Sequence, residues 1–335
     1  MAHKTYGIDF GTSTIKIYKK GQGIILLERN VVSTVGKEKR PIAIGEDAYE
    51  MYEKQPPSIH VSFPLHHGVI AHLQDMIALW NYMNENVTGK KKQKHQEYYI
   101  AVPADITEVE KQAYSQIVTD GDSKPRKVCL IDKPVATIYG LGMDLESIQG
   151  SCIVDLGADT TELTILSQGG IVVTKLLPYG GNYFDIAIRD YLRKQYNFMI
   201  GNRTAEQVKK AIISAIPADR CYKASGRNVL RGLPDEMEIH SQEIYPLVQG
   251  VFTQIATSIQ SVIEHTPPEI STEIKQNGIY LTGGSSQITG IDRLIQEIAG
   301  VKVNLVSKPQ ETVVQGLGYL AEHPKLAARY TMTIR

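Results

Sequence analysis

IDFGTSTIKIY, residues 8–18, sets an aspartate and a glycine at the end of an apolar run, adds three hydroxyl residues, and returns to an apolar run. Small polar residues between two such runs are the ordinary recipe for a turn, and the alternation after Thr14 is that of a half-buried strand. Such a turn can simply reverse the chain, or its backbone N–H groups can form a nest for an anion. The stretch by itself leaves both readings open.

A second copy favours the anion-binding reading, the alternative being two unrelated hairpins. VDLGADT, residues 154–160, repeats the pattern apolar-Asp-apolar-Gly-x-x-Thr, and a strand-like run follows it as well (Leu163-Thr164-Ile165). The copies start at residues 8 and 154, close to half a chain apart, so the repeat predicts two similar domains facing each other across a cleft. Each would offer one anion-binding hairpin turn, with Asp9 and Asp155 orienting Mg²⁺ through water, since Mg²⁺ keeps much of its hydration. A third loop, Leu281-Thr282-Gly283-Gly284-Ser285-Ser286, follows an apolar strand and precedes a helix starting near Gly290. Its glycines let another group approach the backbone closely.

The bulk numbers narrow the function classes. The 335 residues are enough for two domains, and 42% of them are apolar. Lys plus Arg equals Asp plus Glu at 36 each, so no global charge draws nucleic acid or an anionic membrane. Cys129, Cys152 and Cys221 are widely separated and form no CxxC, which argues against a zinc site or a disulfide framework and fits a reducing cytoplasm. There is no signal-peptide pattern and no apolar run near the ~18–20 residues that span a bilayer, so the expectation is a cytoplasmic protein.

Strands are predicted at 6–18 (a pair), 23–36 (a second pair), 98–106, 127–131 and 151–170. Helices are predicted at 69–83, from about Thr107 with Glu110 completing a capping box, near Pro134, at 183–199 and 204–216, and from Ser241 to His265. The alternation of strands and helices gives an α/β fold with mixed sheets.

These residues together carry a resemblance. The chain resembles the actin, sugar-kinase and heat-shock-chaperone superfamily and, within it, the MreB family of bacterial actins. The stretches that carry it are IDFGTSTIKIY, PLHHGVIA, YYIAVPADITEVEKQA, GNRTAEQVKKAI, HTPPEISTEIKQNGIYLTGGSSQITGIDRLI and QETVVQGLGYL. The resemblance implies an actin-like two-domain fold, each domain a central mixed sheet flanked by helices, with a nucleotide cleft between them. Domain I would span 1–140 with a small subdomain inserted at about 33–97. Domain II would span 141–320 with an insert at about 182–245, and 321–335 would return to domain I.

Carried over by position, Thr12, Ser13 and Thr14 would bind the β- and γ-phosphates of ATP. Lys16 stands where actin has a phosphate-contacting lysine and MreB proteins usually have an apolar residue; the alternative is a surface lysine on an alternating strand. Gly157, Ala158 and Asp159 form the second hairpin. Glu206, Gln207, Val208 and Lys209 lie along the ribose and adenine, with Glu206 and Lys209 three apart on one helix face and otherwise a surface ion pair. Gly283, Gly284, Ser285 and Ser286 form the adenosine loop.

Two positions depart from the family. Its second hairpin carries three glycines; here the run is Gly157-Ala158-Asp159. Its strand-to-linker motif ends Glu-Pro, the Glu being the candidate for positioning the attacking water; here Lys133 takes that place. An ammonium cannot orient water as a carboxylate does, and Asp132, one residue off, should point elsewhere on an extended backbone. The joint departure suggests that Lys133 and Asp159 pair near the γ-phosphate, in a protein that binds ATP and hydrolyses it slowly. Polymerisation into filaments and a role in cell shape and the placement of cell-wall synthesis follow from the resemblance, with cell-wall elongation proteins or other MreB paralogues as partners. Alternatives are a non-hydrolysing paralogue that regulates MreB filaments, or a small-molecule kinase of the same superfamily. GKKKQKHQ, with Lys90, Lys91, Lys92 and Lys94, offers a peripheral contact with anionic membrane worth ~1 kcal/mol per charge.

Overall fold

The structure, a computed structural model, describes residues 4–36, 40–89 and 95–332. The chain divides into two compact units, one of Met1–Ile148, Gln168–Ile171 and Gln310–Arg335, the other of Gln149–Ser167 and Val172–Pro309. The last segment of the first unit begins at Gln310.

In the first unit, β1 (Thr5–Phe10), β2 (Thr14–Lys19) and β3 (Gly23–Arg29) form an antiparallel meander. β4 (Val32–Val35), β5 (Arg40–Ile44) and β6 (Ile59–Ser62) make a separate three-stranded sheet, with α1 (Gly45–Met51) between β5 and β6. Residues 23–36 thus hold two strands, as expected, but not one pair: β3 pairs with β2, and β4 with β5 and β6. β7 (Leu65–His66) and β8 (Val69–Ile70) pair with each other, so α2 runs Leu73–Thr88 and does not start at Val69. The reason is the two-residue turn between them: His67 and Gly68 both hold positive φ (49° and 78°), the requirement of a tight hairpin whose twist matches its strands.

β9 (Glu97–Val102), α3 (Glu108–Thr119), β10 (Lys127–Asp132) and α4 (Lys133–Gly140) complete the unit's core together with a C-terminal helix, Thr312–Glu322. The expected capping box forms: the Thr107 N–H donates to the Glu110 carboxylate at 2.7 Å, and the Glu110 N–H donates to the Thr107 hydroxyl at 3.3 Å. The main sheet runs β10-β9-β1-β2-β3, with β9 parallel to both β1 and β10. α2 sends Met76, Leu79, Trp80 and Met83 into the core, where the Trp80 ring stands edge-on to Phe10 and Tyr98. Each such side chain contributes about 1.5–3 kcal/mol on leaving water. Helix Thr312–Glu322 crosses α4 at backbone contact. A Cβ at Gly316 would lie 1.7 Å from the Ala136 carbonyl oxygen, and one at Gly140 would lie 1.9 Å from that of Thr312. Only glycine permits that approach, and it fixes the helix that Lys133 opens.

The second unit contains β11 (Ser151–Leu156), β12 (Thr161–Ser167), β13 (Gly170–Leu177), α5 (Gly181–Tyr196), β14 (Phe198–Met199), α6 (Asn202–Ile212), β15 (Cys221–Asn228), β16 (Pro234–His240), α7 (Ser241–Glu264), α8 (Pro268–Asn277), β17 (Ile279–Thr282), α9 (Ile291–Ala299) and β18 (Val303–Leu305). Its main sheet runs β13-β12-β11-β17-β18; β12 is antiparallel to β11, while β17 is parallel to β11 and β18. This is the first unit's sheet over again, with β11, β12 and β13 in the places of β1, β2 and β3, and β17 and β18 in those of β9 and β10. β14, β15 and β16 form the small sheet of this unit. Phe184, Val208, Phe252, Ile259, Leu281 and Ile295 sit in its core. Among the described residues no helix is long and apolar enough to cross a membrane, and Lys90, Lys91, Lys92 and Lys94 lie outside the described residues.

Candidate functional site

The sequence repeat corresponds to one turn built twice. In the first unit the Gly11 N–H donates to the Thr14 carbonyl at 3.1 Å; in the second the Gly157 N–H donates to the Thr160 carbonyl at 2.9 Å. Each turn is braced from outside its own strands. At the first, the Asn30 side-chain amide donates to the Gly11 carbonyl (2.9 Å) and the Asn30 N–H to that of Ser13 (3.0 Å). At the second, the N–H groups of Gly181 and Asn182, opening α5, donate to the carbonyls of Gly157 (3.1 Å) and Ala158 (2.7 Å), and the Ser285 hydroxyl donates to that of Gly157 (2.8 Å). Thr12, Ser13 and Thr14, like Ala158 and Asp159, are partly exposed on these braced turns.

The two turns differ in charge. Asp9 stands opposite Lys16 in the β1–β2 register, and the Lys16 ammonium reaches the Asp9 carboxylate at 3.0 Å with both side chains buried. Lys16 is therefore not the surface lysine that strand alternation allowed. Burial pushes the Asp9 carboxyl up, but Lys16 and Lys133 together hold it below the ordinary aspartate range. In the second hairpin the residue opposite Asp155 is Glu162, a second carboxylate and a buried one.

Lys133 is the first residue of α4 and half-buried. Asp132 beside it belongs to a different environment. The charges acting on it are Lys111 and Glu108 of α3, and burial pushes its carboxyl up to about 6. Its Oδ1 is buried with no hydrogen-bond partner. The last residue of β10 and the first of α4 thus meet different charges. Asp159 accepts from the Asn182 side-chain amide at 2.6 Å.

On α6 Glu206 and Lys209 have different ion-pair partners, so the alternative of a pair between them is not what the structure forms. Glu206 pairs with Lys210 one turn on (2.7 Å), while Lys209 reaches across to α5, donating to the Asp185 carboxylate (2.7 Å) and the Gly181 carbonyl (3.0 Å). Helical spacing put Lys209 on the right face but could not supply the residue opposite it. Burial pushes the Asp185 carboxyl above its ordinary value despite Lys209, and its Oδ1 is buried without a partner. Val208 is fully buried in the core, so its side chain packs, and Gln207 is exposed and accepts from the Tyr222 hydroxyl. Lys209, Ser285, Gly157 and Ala158 therefore come together around Gly181. Gly283 follows β17 with φ of 82° and lies so near the second turn that a Cβ there would meet the Leu156 carbonyl at 2.3 Å and the Asp155 carboxylate at 2.4 Å. Gly284, Ser285 and Ser286 continue as a short 3₁₀ turn, with the Ser286 hydroxyl donating to the Gly283 carbonyl. Asn30, Glu162, Asn182 and Asp185 were missed by sequence reasoning. For the last two a signal existed, since GGNYFD puts an acid one helical turn beyond a glycine pair.

The residues expected to orient magnesium do not fit it equally. At Asp9 one carboxylate oxygen already holds an ammonium, the other is buried, and a second lysine adds positive charge. A divalent cation there would meet like charge. Asp155 instead stands opposite a second carboxylate, Glu162, in the β11–β12 register, and carboxylate oxygens are what hard cations take.

Two mixed sheets of identical strand order, each led by the same glycine-closed hairpin, define an actin-like fold. The MreB/Mbl protein family model matches residues 3–329, and the chain belongs to that family. It is 34% identical over 324 residues to cell shape-determining protein MreB of Escherichia coli K12, covering 94% of this chain and 92% of the relative. It is 31% identical over 325 residues to cell shape-determining protein Mbl of Bacillus subtilis 168, covering 96% and 97%. Among solved structures it resembles MreB5 of Spiroplasma citri bound to ADP, with a TM-score of 0.90, 31% identity and coverage of 97% and 98%. The AMPPNP complex of the same protein gives 0.88.

Proposed function

We propose that this chain is a cytoskeletal, actin-like protein that binds ATP, assembles into filaments and contributes to cell shape and the placement of cell-wall synthesis. The observation that carries this reading is the pair of matched hairpins, closed by the same Gly-to-Thr hydrogen bond in both units, in a chain whose structural relative holds ADP and AMPPNP. Thr12, Ser13 and Thr14 of the first turn, and Gly157, Ala158 and Asp159 of the second, are the proposed phosphate contacts. Lys209, Gly283, Gly284 and Ser285 are proposed to hold the nucleoside side, with Glu206 and Gln207 at its margin.

Hydrolysis is proposed to be slow. Lys133 occupies the position that family resemblance assigns to a water-orienting glutamate, and Asp159 replaces a glycine. The two are proposed to act together near the γ-phosphate, as a charged pair that tolerates ATP without activating water. A non-hydrolysing paralogue that tunes other MreB filaments is the second reading, favoured by the same two residues. Light-scattering assembly with ATP, with ADP and without nucleotide, measured beside phosphate release, tests these. Assembly without phosphate release supports slow hydrolysis, and growth only on ends supplied by another MreB supports the regulator. Phosphoryl transfer to a small substrate without assembly would sink the cytoskeletal reading.

A further inference from the structure

Asn30 does more for the first turn than brace it. Gly11 and Thr14 follow the β1–β2 register to its end and stand opposite each other, and such a pair ordinarily exchanges two backbone hydrogen bonds. Among the described residues only one of the two is made. The Gly11 N–H donates to the Thr14 carbonyl at 3.1 Å, while the Gly11 carbonyl is turned to the Asn30 side-chain amide at 2.9 Å. The Thr14 N–H is thereby left without the acceptor that would close the ring.

Asn30 takes a second carbonyl as well, its own N–H donating to that of Ser13 at 3.0 Å. In a planar trans peptide the C=O and N–H groups point in opposite directions. Holding the carbonyls of Gly11 and Ser13 on a buried residue therefore turns the N–H groups of Thr12 and Thr14, which share those two peptides, away from it. Backbone N–H groups exposed in this way are what an anion nest is made of. The second turn is opened by the same device with other donors: the Gly157 carbonyl accepts from the Gly181 N–H and the Ser285 hydroxyl, and not from Thr160.

Packing alone does not call for an amide at this position. Asn30 is 0% exposed, and its Oδ1 is buried with no hydrogen-bond partner. Such an orphan oxygen costs stability that an apolar side chain of similar size would keep. The donor half of the amide serves the turn, and the acceptor half serves nothing in the unliganded fold.

We propose that Asn30 is a positioning residue for nucleotide: by diverting the Gly11 carbonyl it holds the first turn open, so that the N–H groups of Thr12 and Thr14 can receive the β- and γ-phosphates. The inference rests on the nucleotide-binding reading above.

The test compares wild type with Asn30→Leu, which keeps the volume and removes the donor. Dissociation constants for ATP and AMP are measured on the full chain by displacement of a fluorescent ATP analogue. ATP should bind the variant about tenfold more weakly, while AMP, which lacks the phosphates assigned to this turn, should change by less than about twofold. A merely structural defect would weaken both alike. Amide hydrogen exchange without nucleotide, followed by NMR, gives a second reading. The Thr14 amide should exchange as an unbonded group in wild type and slow in the variant, as the ring closes on the freed Gly11 carbonyl. Equal losses for ATP and AMP, an unchanged ATP affinity, or a Thr14 amide already protected in wild type overturns the inference and leaves nucleotide binding standing. The wild-type exchange measurement decides even if Asn30→Leu does not fold. Failure of the wild type to bind either nucleotide overturns the nucleotide reading and the inference with it.

Discussion

The β1–β2 and β11–β12 hairpins share a backbone and differ in electrostatics. Both close with a glycine N–H on a threonine carbonyl, and both place an aspartate one residue before the last of the leading strand. Across from that aspartate the first presents Lys16 and the second Glu162. One backbone template is thus used twice, once with its acid neutralised by the chain itself and once with its acid doubled. The shared turn geometry belongs to the fold, while the residue facing the aspartate decides what each turn can attract.

The contrast can be broken in order of expected effect. Lys16→Met should be the most damaging change, because it leaves the buried Asp9 carboxylate without its ammonium; removing one partner of such a pair costs about 3–5 kcal/mol. The matched change, Glu162→Gln, removes one of two facing carboxylates and should alter stability by about 1 kcal/mol or less. Urea midpoints of the two variants measure the difference, and equal losses would erase the distinction between the hairpins.

Next comes a pH test inside the first unit, where two aspartates have opposite signs. The Asp9 pKa is lowered by its lysines, so the stability it supplies is present above the unfolded value and is lost as pH falls through the lower folded one. Asp132 is raised from 3.8 to about 6, so its contribution is fully present below the unfolded value and is lost as pH climbs to about 6. Asp132→Asn should therefore stabilise the protein at pH 7 by about 2–3 kcal/mol, with the gain vanishing below about pH 4. Thermal midpoints of wild type and variant across pH 4–8 check it, and a gain that does not change with pH would rule out burial of the charge as its cause.

Lys133→Glu restores the carboxylate implied by the family and should raise phosphate release about tenfold, equivalent to ~1.4 kcal/mol of barrier. Asp159→Gly combined with it should add less than its separate effect if the two residues act together. An unchanged release rate in both would place the limit on hydrolysis elsewhere. The smallest effect is expected from Glu206→Ala, which loses a surface pair with Lys210 worth about 0.3–0.5 kcal/mol and leaves Lys209 on Asp185. Nucleotide affinity that falls sharply in this variant would instead give Glu206 a direct part in binding.

The hairpins were legible in the sequence because their signal is local: apolar runs, small polar turn residues, a repeat. The charge beneath them was half legible. Alternation places Lys16 on one face of β2 but does not say that this face is covered, and the burial comes from the rest of the sheet. The Asp185 partner of Lys209 was not legible either, since it lies on a different helix 24 residues earlier. Val69 and Ile70 were read into a helix because apolar residues fit a three-to-four spacing by chance, when the His67-Gly68 turn before them was the stronger signal. The capping box at Thr107 and Glu110 was correct because every group it needs lies within four residues.

The strand that delivers Asp132 and Lys133 has one more neighbour. β10 is the outermost strand of its sheet, and at its middle Met332 bridges Leu130, its N–H donating to the Leu130 carbonyl at 3.0 Å. A bare outer strand is a template on which another chain can add a strand of its own. Met332 thus acts as a seal against unprogrammed sheet growth on this edge. Trimming the chain at Tyr330 should unmask that edge. Disordered clumping of the trimmed protein, distinguishable from filaments by electron microscopy, would be its signature.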